Sequence, residues 1–164
     1  MIELAPYTGD DLALTEAIEC DPAMMKDLGG PWPKEKIPEI HRRRLGYIAR
    51  GAWWFKIIPE ASSPAAGTIG IWEMEWQGAP AHEMGWMVLP AFQGRGLASE
   101  AGRLILERAR ADGRFGRIHA FPGLSNLASN AICRKLGFTR LETREIEYAG
   151  RPLTCGHWRL DLRS

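Results

Sequence analysis

The sequence has almost no net charge: its 164 residues carry 21 basic and 20 acidic side chains, a formal +1. No global field therefore draws it to nucleic acid or to an anionic membrane, and any anion it binds must be held by local geometry. Cysteine is scarce. Cys20, Cys133 and Cys155 are odd in number, widely separated and without a CxxC pair. A disulfide framework and a zinc site are excluded on that pattern, no metal is expected, and a reducing cytoplasm is the expected setting. No run approaches the ~20 consecutive apolar residues that span a bilayer. The start, Met1 to Pro6, lacks the basic residues and apolar core of a secretion signal. Neither a nucleic-acid nor a membrane partner is expected.

What is present is an ordinary globular composition, 45% apolar and 25% charged, with no internal repeat or long linker. One domain over residues 1–164 is the expectation. Ile2 to Tyr7 reads as a strand, and Thr8 with Asp11 as a capping box opening a helix through Ile18. Gly29-Gly30-Pro31-Trp32-Pro33 forces a loop before a second helix from Lys34 to Ala49. Three strands follow at 53–58, 68–76 and 82–89, joined closely enough for an antiparallel meander. Leu97, Ala101, Leu104, Ile105 and Ala109 give the next helix its stripe. A strand at 115–121, a helix at 126–136 stopped by Gly137, and strands at 139–148 and 153–162 complete the chain. The order β-α-α-β-β-β-α-β-α-β-β predicts an α+β (mixed α/β) protein.

The strongest local signal is a strand, Pro90, and then Gln93-Gly94-Arg95-Gly96-Leu97-Ala98 at a helix start. A helix N-terminus leaves about four backbone N–H groups unpartnered and carries the positive end of the macrodipole. Glycines let a phosphate approach the backbone there. The physics alone says anion site; a plain glycine turn capping a helix is the bland alternative. Arg95 either adds charge or points to solvent. Two better-known loops do not fit. No GxxxxGK[ST] is present, and a dinucleotide GxGxxG needs glycine where Ser99 stands.

The run from Glu83-Met84-Gly85-Trp86 through Gln93-Gly94-Arg95-Gly96-Leu97-Ala98 to Glu100-Ala101 resembles the acyl-CoA motif (Q/R)xxGx(G/A) of the GNAT N-acetyltransferases. Asn126-Leu127-Ala128-Ser129-Asn130 with Arg134-Lys135-Leu136-Gly137-Phe138 resembles that superfamily's second motif. The resemblance covers essentially the whole chain, and its nearest branch contains the ribosomal-protein-alanine N-acetyltransferases. It implies a central mixed, mostly antiparallel, seven-stranded sheet flanked by about four helices. It also implies acetyl-CoA as co-substrate, with Met87, Val88 and Leu89 offering backbone to the pantetheine arm. Backbone N–H groups from Gln93 to Ala98 would take the pyrophosphate. Asn126 and Ser129 would bond the cofactor arm, with helix capping as the alternative role for both.

Transfer from a thioester to nitrogen needs a neutral amine, yet alkyl amines have pKa near ~10.4 and α-amines near ~8. A base, or a water path to one, therefore helps at neutral pH. Glu83 is the first candidate, Glu73 and Glu75 the alternatives; a rim glutamate in an ion pair is the bland reading. His119 reads as a hydrogen-bonded structural histidine, His82 and His157 as strand-end or sheet-face residues. Many members of the family place a tyrosine four residues before the glycine of the closing Gly-Phe, where this chain has Cys133. Cys133 is expected to line the cofactor arm without being essential. The resemblance implies an amine acceptor, either a small molecule or a peptide N-terminus, in a cleft walled by Trp32 and Trp72, with Trp76 and Tyr148 as further candidates and core packing as the bland reading of these rings. His41-Arg42-Arg43-Arg44 reads as a solvated face. A non-catalytic acyl-CoA sensor is the alternative function, and a homodimer is left open.

Overall fold

The computed structural model describes residues 1–163. The strands are β1 (Glu3–Pro6), β2 (Trp53–Ile58), β3 (Gly67–Trp76), β4 (Ala79–Val88), β5 (Arg117–Ala120), β6 (Thr139–Tyr148) and β7 (Arg151–Asp161). The helices are α1 (Leu12–Glu19), α2 (Pro22–Met25), α3 (Ile37–Ala49), α4 (Leu97–Asp112) and α5 (Leu127–Lys135). The order is the expected one with α2 added. That single turn is too short for periodicity to reveal, but its start is written in Asp21-Pro22. The Asp21 carboxylate accepts from the amides of Ala23 and Met24 at 2.8 and 3.0 Å, and proline stands where its missing N–H costs nothing. The Thr8–Asp11 box is formed, the Thr8 amide donating to Asp11 Oδ2 at 2.7 Å. It opens a 3-10 turn, Gly9–Asp11, ahead of α1.

The seven strands form one sheet in the order β1-β2-β3-β4-β5-β7-β6. All neighbours are antiparallel except β4 and β5. A two-residue turn, Gln77 and Gly78 with φ of 52° and 78°, closes the β3–β4 hairpin and sets Trp72 opposite Glu83. The parallel pair is only two residues long, His82 with Ile118 and Glu83 with His119. Beyond Glu83 the two strands part, which leaves one edge of β4 without a neighbouring strand.

The core lies between α4 and one face of the sheet. Ala101, Ile105, Leu106 and Ala109 of α4 pack with Ile57, Ile69, Ile71, Met84 and Ile118. Each fully buried Ile, Leu or Met side chain contributes roughly 1.5–3 kcal/mol of transfer free energy. Alternation along β2 sends Trp54 to the face opposite Ile57. There the Arg44 guanidinium of α3 lies 4.7 Å from the Trp54 ring centroid. The sheet is therefore covered on both faces, and the parting of β4 from β5 opens a passage at its middle.

Candidate active site

A cavity of about 1120 Å³ occupies that opening. Its wall is built from β4 between Glu83 and Val88, the start of α4, the start of α5, and Trp32, Trp72 and Tyr148. Among the expected site residues, Met87, Val88, Gln93, Gly94, Gly96, Leu97, Ala98, Asn126, Ser129, Trp32, Trp72 and Glu83 line it. Leu89, Arg95 and Cys133 do not.

At one end is the start of α4. Gly94 and Gly96 both take left-handed φ, 79° and 73°, and a Cβ on either would meet nothing within 4 Å. Conformation, rather than crowding, is what calls for glycine here. Gly96 is the N-cap and offers no side chain, so no cap occupies the amides of the first turn. The end of a 16-residue helix thus faces the cavity with its donors free and its dipole positive. The loop is braced beneath: the Gln93 side-chain amide donates to the Val88 carbonyl at 2.8 Å. The Gln93 backbone N–H donates to Pro90 at 3.3 Å and that of Leu89 to Ala66 at 2.8 Å. These two amides, expected to serve the cofactor, are thus engaged within the chain. Arg95 folds over the Phe92 ring, 5.4 Å from its centroid, rather than toward the helix end.

The second motif supplies the facing wall. Asn126 caps α5, its Oδ1 accepting from the Ser129 amide at 3.1 Å, and it also lines the cavity. The capping role of Asn126 is therefore formed, and the residue faces the cavity as well. Ser129 Oγ accepts from Trp86 Nε1 at 3.3 Å, which leaves its own hydrogen to donate. Cys133 corrects an expectation. It is completely buried in the core, because the α5 face that meets the cavity is carried by Ile132 and Ser129, and Cys133 lies about 100° round from Ile132. Burial pushes its thiol up to about 12, so it is a small core hydrophobe and a poor acid. Cys133→Ala is expected to leave turnover within about twofold while costing about 1 kcal/mol of stability. Urea unfolding beside a rate assay checks both.

At the other end stands Glu83. Burial pushes its carboxyl up to about 7, against a smaller opposing contribution from a hydrogen bond with the Trp72 side chain. Trp72 stacks on Trp54 with centroids 4.6 Å apart and planes 15° from parallel. It lies so close over β4 that a Cβ on Gly85 would come within 2.7 Å of its ring. Arg151 closes the roof. Its Nη1 donates to the carbonyls of Gly29 and Gly30 at 2.6 and 2.8 Å, and its guanidinium rests 3.8 Å from the Trp32 centroid. Burial raises the Tyr148 phenol well above its ordinary range, and Glu19 adds to that.

Three residues here depart from the sequence reading. Arg44, placed there on a solvated face, has a side chain only 11% exposed and donates to the buried Glu19 at 3.0 Å. Ile37, His41 and Arg44 recur at spacings of four and three, so Arg44 lies on the inward stripe of α3; that spacing was the available signal. Glu73 and Glu75, the alternative bases, are exposed and outside the cavity wall. His119 is structural in its bonding: its Nδ1 pairs with His157 Nε2 at 2.7 Å. Burial, then His157, pushes it down to about 4. Trp76 packs on that pair and not on the cavity.

No group of His, Cys, Asp and Glu among the described residues could hold a metal ion. No helix among them is long and apolar enough to cross a membrane.

The fold is shared with solved structures. An acetyltransferase of the GNAT family from Bacillus anthracis is 18% identical, with a TM-score of 0.78 over 99% of this chain and 96% of that one. The acetyl transferase that modifies the N-terminal serine of ribosomal protein L7/L12 from Salmonella typhimurium is 20% identical. It has a TM-score of 0.77 over 98% and 94% of the two chains. Spermidine N-acetyltransferase from Vibrio cholerae, solved with CoA and spermine, is 14% identical, with a TM-score of 0.79 over 99% and 96%. The family model described as acetyltransferase (GNAT) domain matches residues 2–139. The chain belongs to the GNAT acetyltransferase family.

Proposed function

We propose that the protein transfers an acetyl group from acetyl-CoA to a primary amine by direct attack in a ternary complex, with Glu83 taking the proton. The observation that carries this is one cavity joining two unlike ends: the uncapped start of α4 and a half-buried, basic carboxylate. The chain's residues fit the cofactor. First-turn amides of α4, with Gly94 and Gly96, would hold the pyrophosphate. The free edge of β4 around Met84 to Met87 would take the pantetheine arm as an added strand. Asn126 and Ser129 would bond it from α5. Acetyl-CoA supplies an activated acyl carbon.

Glu83, with a pKa near 7, is ionised in a useful fraction at neutral pH and can take a proton from the bound ammonium, freeing the nitrogen lone pair to attack the thioester carbon. Trp54 and Trp72 exclude water from that transfer and keep the carboxylate basic. As the C–S bond breaks, the leaving sulfur takes up the proton that the newly acylated nitrogen sheds, and the Ser129 hydroxyl, whose oxygen already accepts from Trp86, donates a hydrogen bond that steadies the thiolate. No buried thiol is needed.

Thermal unfolding with acetyl-CoA, followed by thiol release across a panel of amines and peptides, tests the reading. Acetyl-CoA at 100 times its Kd is expected to add roughly 2.7 kcal/mol of stability, and thiol release to depend on the amine. Tight binding with no acceptor in the panel would favour an acyl-CoA sensor instead.

A further inference from the structure

The acceptor end of the cavity is more selective than an amine site needs to be. Two of its carboxylates have cationic partners. Glu19 is held by Arg44 at 3.0 Å, both side chains nearly buried, and Glu39 lies 3.5 and 3.7 Å from Lys36 and Arg43. Asp27 accepts from the neutral Ser125 hydroxyl at 2.6 Å and keeps its charge. Glu83, opposite Trp72 in the β3–β4 register, is the lining carboxylate beside the Trp54–Trp72 stack.

Two buried donors at the same end lack partners: Arg44 Nη1 and Trp54 Nε1. The guanidinium lies 4.7 Å from the Trp54 ring centroid, so the two groups share one corner. Both residues line the cavity. A buried N–H without an acceptor is destabilising, and such a group is retained where something completes it. Because Glu19 neutralises Arg44, the corner is electrically balanced. It suits a neutral oxygen better than a carboxylate, which would add an unmatched charge. The parallel Trp54–Trp72 stack beside it offers an apolar flank.

We infer that the acceptor is an amine carrying a carbonyl oxygen, as in an amino-acid amide or the first residue of a peptide. Its amine lies at Glu83 and its carbonyl accepts from Arg44 Nη1 and Trp54 Nε1. The assignment rests on the acetyltransferase reading above. Both N–H groups are buried in residues of the cavity wall, so seating the carbonyl requires a small shift of the Arg44 and Trp54 side chains, with Nη2 keeping Glu19. A site built to hydrogen-bond a substrate rejects the analogue lacking that group, since its donors are then left unpaired.

The test compares tryptophanamide, tryptamine (the same ring and amine without the carbonyl) and spermidine in an acetyl-CoA thiol-release assay. Wild type, Trp54→Phe and Arg44→Lys are run side by side. Trp54→Phe keeps the ring and removes the N–H; Arg44→Lys keeps a charge for Glu19 and removes the second donor arm. Each is expected to lower kcat/KM for tryptophanamide about tenfold more than for tryptamine, the size of one lost hydrogen bond to a charged or dry site. Taking the ratio within each protein cancels the different amine pKa values. Spermidine, which has no carbonyl, is expected to be a poorer acceptor than tryptophanamide. Equal losses for the amide and the amine, or spermidine as the best acceptor, would overturn the carbonyl subsite. A third outcome is distinguishable from both. If acetyl-CoA raises Tm but no amine releases thiol from any of the proteins, the acetyltransferase reading itself fails and takes this subsite with it.

Discussion

Gly96→Val is expected to weaken acetyl-CoA binding by more than about 100-fold, roughly 2.7 kcal/mol, while leaving the fold intact. Two effects combine. Gly96 has φ of 73°, a conformation that costs an L-residue roughly 1–2 kcal/mol, so the loop relaxes away from it and the first-turn amides lose their common aim. Its Cβ also projects into open space at the helix start, the space a pyrophosphate must fill. The strain has a matched control on the same helix. Gly113, at the far end of α4, has φ of 80° and likewise nothing within 4 Å of an added Cβ. Gly113→Val should lose a similar amount of stability and keep its CoA affinity. Calorimetric titration of CoA into both variants, with urea midpoints alongside, separates strain from site. Equal affinity in the two would sink the pyrophosphate assignment.

That loop was legible because its signal is local. Pro90, the two glycines and the apolar stripe from Leu97 lie within one stretch, and the physics of an uncapped helix start needs nothing from elsewhere. Element order was legible for the same reason, since periods of 2 and 3.6 are local properties. What the sequence did not show depends on tertiary packing. Arg44 and Glu19 are separated by twenty-five residues, and a charged residue reads as surface until its partner is placed. Cys133 fell on the expected helix but on the wrong face of it, because the roll of α5 against the sheet is set by packing with α4, where Leu136 sits over Gly102. The two-residue pairing of β4 with β5, which creates the cavity, leaves no mark in either strand's composition.

Those differences bear on the two ends unequally. The cofactor end is mostly backbone, and backbone geometry follows from glycine positions and helix boundaries. The acceptor end is mostly side chains from α1, α3, β2, β3, β4 and the β6–β7 hairpin, so its chemistry emerges only when the fold brings them together. A family model spanning residues 2–139 accordingly says more about acetyl-CoA than about the amine. The charge balance and orphan donors at Arg44 and Trp54 carry the information that the motifs lack.

The second large effect is at Glu83, where activity and stability should move in opposite directions. Glu83→Gln is expected to lower kcat about 10²–10³-fold, the usual worth of a positioned base, with CoA affinity unchanged. The pH profile gives the assignment its test. Wild-type kcat should rise as pH increases through about 7, where Glu83 ionises, and then level off, because the carboxylate itself neutralises the bound ammonium. The glutamine variant should instead rise only as the amine loses its own proton near ~8 or above. Stability supplies the opposing readout. The folded protein holds the Glu83 carboxyl near 7 against an ordinary value of 4.5. Between those values the folded state therefore binds more protons than the unfolded one, and wild-type stability falls as pH rises through that window. Glutamine has no proton to lose there. Its Tm should exceed that of wild type at pH 8, and the difference should vanish below pH 4.5. A slower enzyme that is also more stable at alkaline pH marks a carboxylate kept in a dry wall for its basicity. If the variant were slower and less stable at every pH, Glu83 would be a structural residue and the base would have to be sought elsewhere in the cavity.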